Sequence, residues 1–326
     1  MALTTISGNA GAVQGSVARA IEGRRADVKG RVFDLALVSC LLVSLAILTM
    51  LLVDVARDGL PVYSERGEQF LNGGLSQSAA RAGIAQGLIG SFWIAVSVVV
   101  VALPLGIGAA IYLEEYAPRN RLTSFIEINV RNLAGVPSVV YGLLGLAVFV
   151  EVFGGFSGSD DVNRRTLAAA GLTLAVLVLP IVIITTSEAI RAVPNELREG
   201  AYGVGATRWE VIRTQIMPYA MPGIMTGGLL SIARAVGEAA PLILVGALTG
   251  LAGRSPGLSI GSFLDPSALT ERFTAMPTII TTWAKLPSEE FKTANAAAAI
   301  IGMLVFVLLV NSVAIVLRNR FEKRRA

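Results

Sequence analysis

The chain has 326 residues, of which 54% are hydrophobic and 15% are charged, with no histidine and one cysteine. Soluble domains carry about 25% charged residues, so this composition indicates a membrane protein. The lack of histidine excludes His-based triads, His-rich metal sites and imidazole proton relays, and one cysteine excludes an intramolecular disulfide. The net charge of +4 is weak evidence for nucleic-acid binding, because the basic residues flank apolar segments. No G-x-x-x-x-G-K-[ST] loop occurs, so any ATP is expected to be bound by another chain.

The segment before the first apolar stretch, residues 1–32, is rich in Gly, Ala and Ser and then becomes basic. We expect a disordered cytoplasmic tail, held at the inner membrane surface by its charges. Residues 33–326 are predicted to form one transmembrane domain.

Six stretches are long and apolar enough to cross a bilayer, which takes about 20 residues of helix. They cover residues 33–53, 88–113, 133–153, 167–187, 222–251 and 294–317. The first stretch is too long for a signal peptide and no small-x-small cleavage site follows it, so it is predicted to be an uncleaved membrane helix. The sequence therefore predicts an all-α integral membrane protein with six transmembrane helices.

Basic residues indicate the orientation of these spans. Of the 27 Lys and Arg residues, 17 lie in the termini and loops on one side and nine on the other, and Arg234 lies within a span. An excess of Lys and Arg marks the cytoplasmic side. Both termini are therefore predicted to be cytoplasmic.

One predicted cytoplasmic loop, residues 194–218, is charged and amphipathic and reads PNELREGAYGVGATRWEVIRTQIMP. Pro194 suits the first turn of a helix, and the T-x-x-E pattern from Thr207 to Glu210 is typical of a capping box that starts a second helix. Gly205 permits the turn between them. We predict a helix–turn–helix projecting into the cytoplasm, although a short pair of interfacial helices is an alternative.

Residue spacing in this loop resembles the EAA loop of ABC importer permeases, E-A-A-three-G-nine-I-x-L-P. Glu199, Ala201, Gly205 and Pro218 match four of its positions, while Gly200 replaces the first Ala of the motif. In that family the loop is the coupling helix that docks into a groove on the ATP-binding subunit. The resemblance therefore implies an ATPase-coupling role for the four matching residues, and Trp209 adds an apolar contact near the tip.

Other segments resemble the phosphate-specific members of that family. These are residues 103–117, 132–145 and 231–244, and residues 276–299 are more similar to the PstA type than to the PstC type. The resemblance implies a type I ABC importer permease in the bacterial cytoplasmic membrane that catalyses no chemistry and carries no cofactor. It also implies three partners: a second, PstC-like permease, a PstB-like ATP-binding dimer and a PstS-like extracytoplasmic phosphate-binding protein.

The stretch SIARAVGEAAPLIL, residues 231–244, carries Arg234 and Glu238 inside an apolar segment. A charged residue at mid-span costs about 2.5–3.5 kcal/mol on insertion scales, and intramembrane charges usually mark a functional site. At spacing i, i+4 the two side chains share a helical face and can pair. We predict that both line the substrate path, because the guanidinium fork suits phosphate oxygens and Glu238 can position it. A purely structural ion pair is the alternative.

Other functions remain open at this stage. A permease for another oxyanion, sulfate or molybdate, is the nearest alternative. A proton-coupled secondary transporter, in which Glu238 titrates, needs no ATPase-docking loop. An integral-membrane enzyme needs a cluster of carboxylates or nucleophiles that the sequence lacks. The segment 252–293 is either a plain external loop or partly re-entrant.

Overall fold

The computed structural model describes residues 28–152, 165–247, 258 and 260–322. The described residues are almost entirely helical, and their one β-type pairing is an isolated bridge between Thr166 and Arg272. The chain divides into two compact units, Met1–Asp54 and Val55–Ala326.

The helices are numbered here in chain order. They are α1 (Val28–Asn72), α2 (Ala85–Tyr116), α3 (Arg121–Ala134), α4 (Ser138–Val152), α5 (Leu167–Arg191), α6 (Asn195–Gly203), α7 (Arg208–Gly237), α8 (Ala240–Val245), α9 (Ile260–Leu264), α10 (Met276–Trp283) and α11 (Ala296–Glu322). A π turn, Phe291–Asn295, leads into α11.

The described part of the first unit is a single helix whose apolar side chains are exposed. The predicted first span is confirmed as helical and lies within α1, which has non-helical backbone angles at Arg66 (φ −145°, ψ 32°) and ends at Asn72. Residues 1–27 of the predicted tail lie outside the described residues, and α1 begins at Val28.

The all-α fold is confirmed. Five described helices are long and apolar enough to span a membrane, and a sixth span is counted if α3 and α4 are taken together. The cytoplasmic placement of both termini stays a prediction.

The predicted third span, residues 133–153, is wrong as a single helix. The chain bends by 101° between α3 and α4, and Pro137 stands in the break as the N-cap of α4. The proline ring disfavours helical geometry in the residue before it, so the helix ends there and restarts. The last residue of that prediction, Phe153, lies outside the described residues.

The predicted fifth span, residues 222–251, is also broken. Glu238 is extended, with φ −81° and ψ 119°, and separates α7 from α8. Pro241 lies in the first turn of α8, where its missing N–H costs nothing. Gly246 then ends α8 with φ 104°, and residues 248–251 lie outside the described part of the chain.

The core of the second unit is built around α5, whose residues Leu174 and Val178 are fully buried. Small residues let neighbouring helices approach it closely, as is usual where helices pack in lipid. A Cβ on Gly106 of α2 would lie 2.6 Å from the Val182 side chain of α5.

A second core cluster shows that part of the segment 252–293 is packed inside the protein. Met276, Ile279 and Trp283 of α10 are buried in it. The backbone N–H of Met276 donates a hydrogen bond to Ser91 Oγ of α2 at 3.0 Å. Residues 276–283 are therefore packed inside the protein and do not form a plain external loop.

Candidate functional site

The loop at residues 194–218 forms the helix–turn–helix that its sequence predicts. Helix α6 ends at Gly203, and Gly205 turns the chain with φ +86°. The Thr207 N–H donates to Glu210 Oε2 at 2.7 Å, and the Glu210 N–H donates to Thr207 Oγ1 at 3.4 Å. This reciprocal pair is the predicted capping box, and it fixes the start of α7.

The five predicted coupling residues lie on two different sides of this loop. Glu199, Gly205 and Trp209 are exposed on its outer surface. Ala201 packs against the cluster of buried side chains beneath the loop, and Pro218 is half-buried within α7. The outer residues are therefore accessible to another protein, whereas Ala201 packs the loop against the helices beneath it.

An exposed apolar surface surrounds the tip of the loop. Val204 is 86% exposed and Trp209 is 57% exposed, and Tyr202 lies beside them at 46%. Large aromatic side chains are enriched where proteins bind one another. This tip is suited to packing against a protein.

Beneath the loop, arginines of α6 and α7 bind the end of α2. Arg198 forms an ion pair with Glu115, and its Nη2 donates a hydrogen bond to the Ile190 carbonyl at 2.9 Å. The guanidinium of Arg208 lies 5.3 Å from the centre of the Tyr116 ring, a cation–π contact. These residues were not predicted from the sequence, because they lie far apart in the chain.

Arg191, at the end of α5, extends this network. Its Nε donates to Glu114 Oε2 at 2.9 Å and its Nη2 lies 2.8 Å from Glu114 Oε1. Glu127 of α3 lies 3.6 Å from the same guanidinium. Ion pairs thus link α2, α3, α5 and α6 to one another.

Arg234 and Glu238 lie together at the opposite end of α7. Arg234 Nε is 3.6 Å from Glu238 Oε1, and the two side chains are 44% and 23% exposed. Their predicted placement on one mid-span helical face is wrong: Arg234 lies in the last helical turn and Glu238 lies beyond the helix end. The separation exceeds hydrogen-bond range, and no described residue accepts a hydrogen bond from the Nη groups of Arg234.

Helix α4 packs beside the Arg234–Glu238 pair. Tyr141 lies in the same buried cluster as Ala235 of α7 and Leu242 of α8, and its hydroxyl donates to the Leu133 carbonyl at 2.9 Å across the α3–α4 bend. A Cβ on Gly142 would lie 2.7 Å from Cα of Pro241. Arg234 therefore lies beside a cluster to which α4, α7 and α8 all contribute. Tyr141 was not predicted from the sequence.

About 39 Å of helix separates the two regions, since 26 residues of α7 at 1.5 Å each lie between Arg208 and Arg234. A single element thus carries the exposed loop at one end and the Arg234 guanidinium at the other. The same helix therefore includes residues of both regions.

Comparisons with known proteins identify the family and the fold of this chain. The family described as "Binding-protein-dependent transport system inner membrane component" matches residues 102–326. The phosphate transport system permease protein PstA of Yersinia pestis is 32% identical over 248 residues, covering 76% of this chain and 75% of that protein. PstA of Mycobacterium leprae is 41% identical over 167 residues, covering 50% of this chain.

The chain spans only 51% to 60% of the length of some of the curated relatives that it matches. A crystal structure of a bacterial alginate ABC transporter, in complex with its alginate-bound periplasmic protein, contains a chain with the same fold. Its TM-score is 0.59 at 16% identity, covering 91% of this chain and 96% of that one. This protein has the type I ABC importer permease fold, and it belongs to the family of binding-protein-dependent transport system inner membrane components.

Proposed function

We propose that this chain is a permease subunit of an ATP-driven phosphate importer of the bacterial cytoplasmic membrane. It pairs with a second, PstC-like permease, receives phosphate from an extracytoplasmic binding protein and is driven by a separate ATP-binding dimer. The similarity to phosphate transport permeases of two organisms carries the substrate assignment.

The ATPase docks on the outer surface of the loop at residues 194–218. The exposed Val204 and Trp209 supply apolar area for this contact, and Glu199 supplies a charge beside them. The inner side of the loop is packed against the membrane helices, so a push on the tip moves α6 and α7 with it.

Phosphate passes Arg234. Its side chain is 44% exposed, and its planar guanidinium carries paired donors that suit phosphate oxygens. Glu238 Oε1 lies 3.6 Å from Nε of Arg234 and orients the guanidinium. A nearby carboxylate also repels a dianion, which favours release and suits a transport path.

Transport in proteoliposomes tests the substrate path. The complex of this chain with its second permease and ATPase is reconstituted, and ATP-dependent uptake of radiolabelled phosphate is measured with excess binding protein. Arg234→Gln is expected to lower uptake at least tenfold and Arg234→Lys to lower it less, because lysine keeps the charge but not the planar fork. Arg57→Gln is the matched control, since Arg57 is exposed on α1. Uptake by Arg234→Gln at the native rate would show that Arg234 is not in the path.

Co-purification tests the docking surface. Glu199→Arg is expected to release the ATPase from the complex, whereas Glu196→Arg, an equal charge change on an exposed residue of the same helix, retains it. Uptake without any ATPase would favour a secondary transporter. Competition by sulfate or molybdate as strong as by unlabelled phosphate would favour another oxyanion.

A further inference from the structure

Arg234 and Glu238 bring opposite kinds of hydrogen-bonding group to one place. Arg234 Nε lies 3.6 Å from Glu238 Oε1, and the two side chains are 44% and 23% exposed. An arginine only donates hydrogen bonds, and an ionised carboxylate only accepts them. Because the donor and the acceptor lie side by side, two oxygen atoms of one small tetrahedral anion can contact both.

The chain segments around this pair add no further charge. Residues 228–247 contain no other Asp, Glu, Lys or Arg, and residues 138–145 of the neighbouring α4 contain none. Arg165 approaches α8 at its far end, beside Gly246. The two charges of the pair therefore sum to zero. The guanidinium offsets one negative charge of a bound anion, while the carboxylate repels any ionised oxygen placed against it, and both effects are stronger in apolar surroundings than in water.

This arrangement distinguishes phosphate from sulfate. Both are tetrahedral anions of similar size, but at neutral pH phosphate keeps at least one proton and sulfate keeps none. A phosphate oxygen can accept a hydrogen bond from Arg234 while a phosphate hydroxyl donates one to Glu238. Sulfate makes the first contact but turns an ionised oxygen toward the carboxylate. Sites that hydrogen-bond a substrate hydroxyl reject the analogue without it by factors of about 10⁴–10⁵.

We propose that Glu238 determines the anion specificity of this site by requiring a substrate that carries a hydroxyl group. The inference rests on the proposed function, because it takes Arg234 as part of the phosphate path. Protonated oxyanions such as phosphate and arsenate are accepted. Sulfate and molybdate, which carry no proton at neutral pH, are excluded. A carboxylate that only oriented Arg234 would make no such distinction.

Phosphorus-31 NMR measures weak binding as broadening of the phosphate line. The complex of this chain with its second permease and ATPase is used without the binding protein, which would impose its own selectivity. Broadening that remains in Arg234→Gln is subtracted. Arsenate is expected to compete with phosphate, whereas sulfate should need a concentration about 100-fold higher. Fluorophosphate carries no proton at neutral pH and should compete as poorly as sulfate.

Glu238→Gln tests the carboxylate itself. The amide of glutamine donates hydrogen bonds, so sulfate is expected to compete within about threefold of arsenate in this variant. Glu238→Asp keeps a carboxylate and should keep the preference for arsenate. Glu151→Gln is the matched control, because it makes the same change at an exposed residue of α4, and it should also keep the preference.

The outcomes separate this inference from the proposed function. Continued exclusion of sulfate by Glu238→Gln would overturn the role of Glu238 and leave phosphate transport untouched. Competition by fluorophosphate or sulfate at the arsenate concentration in the native complex would overturn it as well, without any variant. The absence of Arg234-dependent broadening in the native complex would overturn the path assigned to Arg234, and this inference with it.

Discussion

Replacing Glu115 by glutamine is expected to loosen α6 from the membrane helices. The Glu115 side chain is 6% exposed and its partner Arg198 is 22% exposed, so the ion pair is largely removed from water. Glutamine keeps the shape and an acceptor oxygen but removes the charge. The variant therefore tests the ion pair itself and does not create a cavity.

The size of the effect follows from the contacts that remain. Hydrogen bonds to charged groups contribute about 1.5–3 kcal/mol and neutral ones about 0.5–1.5 kcal/mol. Removing one member of a fully buried ion pair costs about 3–5 kcal/mol. Arg198 keeps its hydrogen bond to the Ile190 carbonyl at 2.9 Å and has some contact with solvent. The expected loss lies between these limits, at about 2 kcal/mol, which corresponds to a factor of about 30.

Hydrogen exchange of α6 in the reconstituted complex measures this loss, because the amides of residues 199–203 exchange when α6 opens. Glu115→Gln is expected to accelerate that exchange about 30-fold. Glu196→Gln is the control, since Glu196 is exposed in the same helix and forms no salt bridge with a described residue. A change of less than threefold in Glu115→Gln, with the control unchanged, would refute the view that this ion pair holds α6.

Three further substitutions test the local structure. Gly205→Ala must place a side chain at φ +86° and is expected to cost about 1–2 kcal/mol, measured as faster proteolysis of the loop 194–218. Gly106→Ala puts a methyl group 2.6 Å from Val182 and is expected to lower the denaturation temperature, whereas Gly108→Ala, with nothing within 4 Å, is not. Thr207→Ala removes the capping box and is expected to cost about 1 kcal/mol, seen as faster hydrogen exchange in the first turn of α7.

The parts of the fold that local chemistry determines were predictable from the sequence. The capping box depends on two residues three apart, and the turn after α6 depends on one glycine with positive φ. The apolar spans follow from hydropathy alone, since each buries its backbone hydrogen bonds within itself. Such features require no knowledge of distant contacts.

The remaining features depend on contacts that one sequence does not reveal. Arg191 and Glu114 are 77 positions apart, and nothing local pairs them. The breaks in the predicted third and fifth spans did have a sequence signal, because Pro137 and Pro241 stand at them. That signal was not decisive, since prolines are also tolerated within membrane helices.

In the proposed function, the break at Glu238 lets movement of the loop 194–218 reach Arg234 at the far end of α7. Arg234 belongs to the long helix that begins at the ATPase-docking loop, whereas Glu238 lies on the segment that α4 holds through the close approach of Gly142 to Pro241. Movement of α7 would therefore change the 3.6 Å separation of the pair and the exposure of the guanidinium.

We expect a spin-label distance across this break to change between the nucleotide-free complex and a complex trapped with an ATP analogue. Leu230 and Ile243 suit the labels, because they are 64% and 45% exposed on either side of Glu238. A second label pair within α7, at Tyr219 and Leu230, is the control and should keep one distance, since a continuous helix moves as a rigid body. An unchanged distance across Glu238 in a complex that hydrolyses ATP would show that α7 and α8 move together. The coupling of the loop to Arg234 through this hinge would then be wrong.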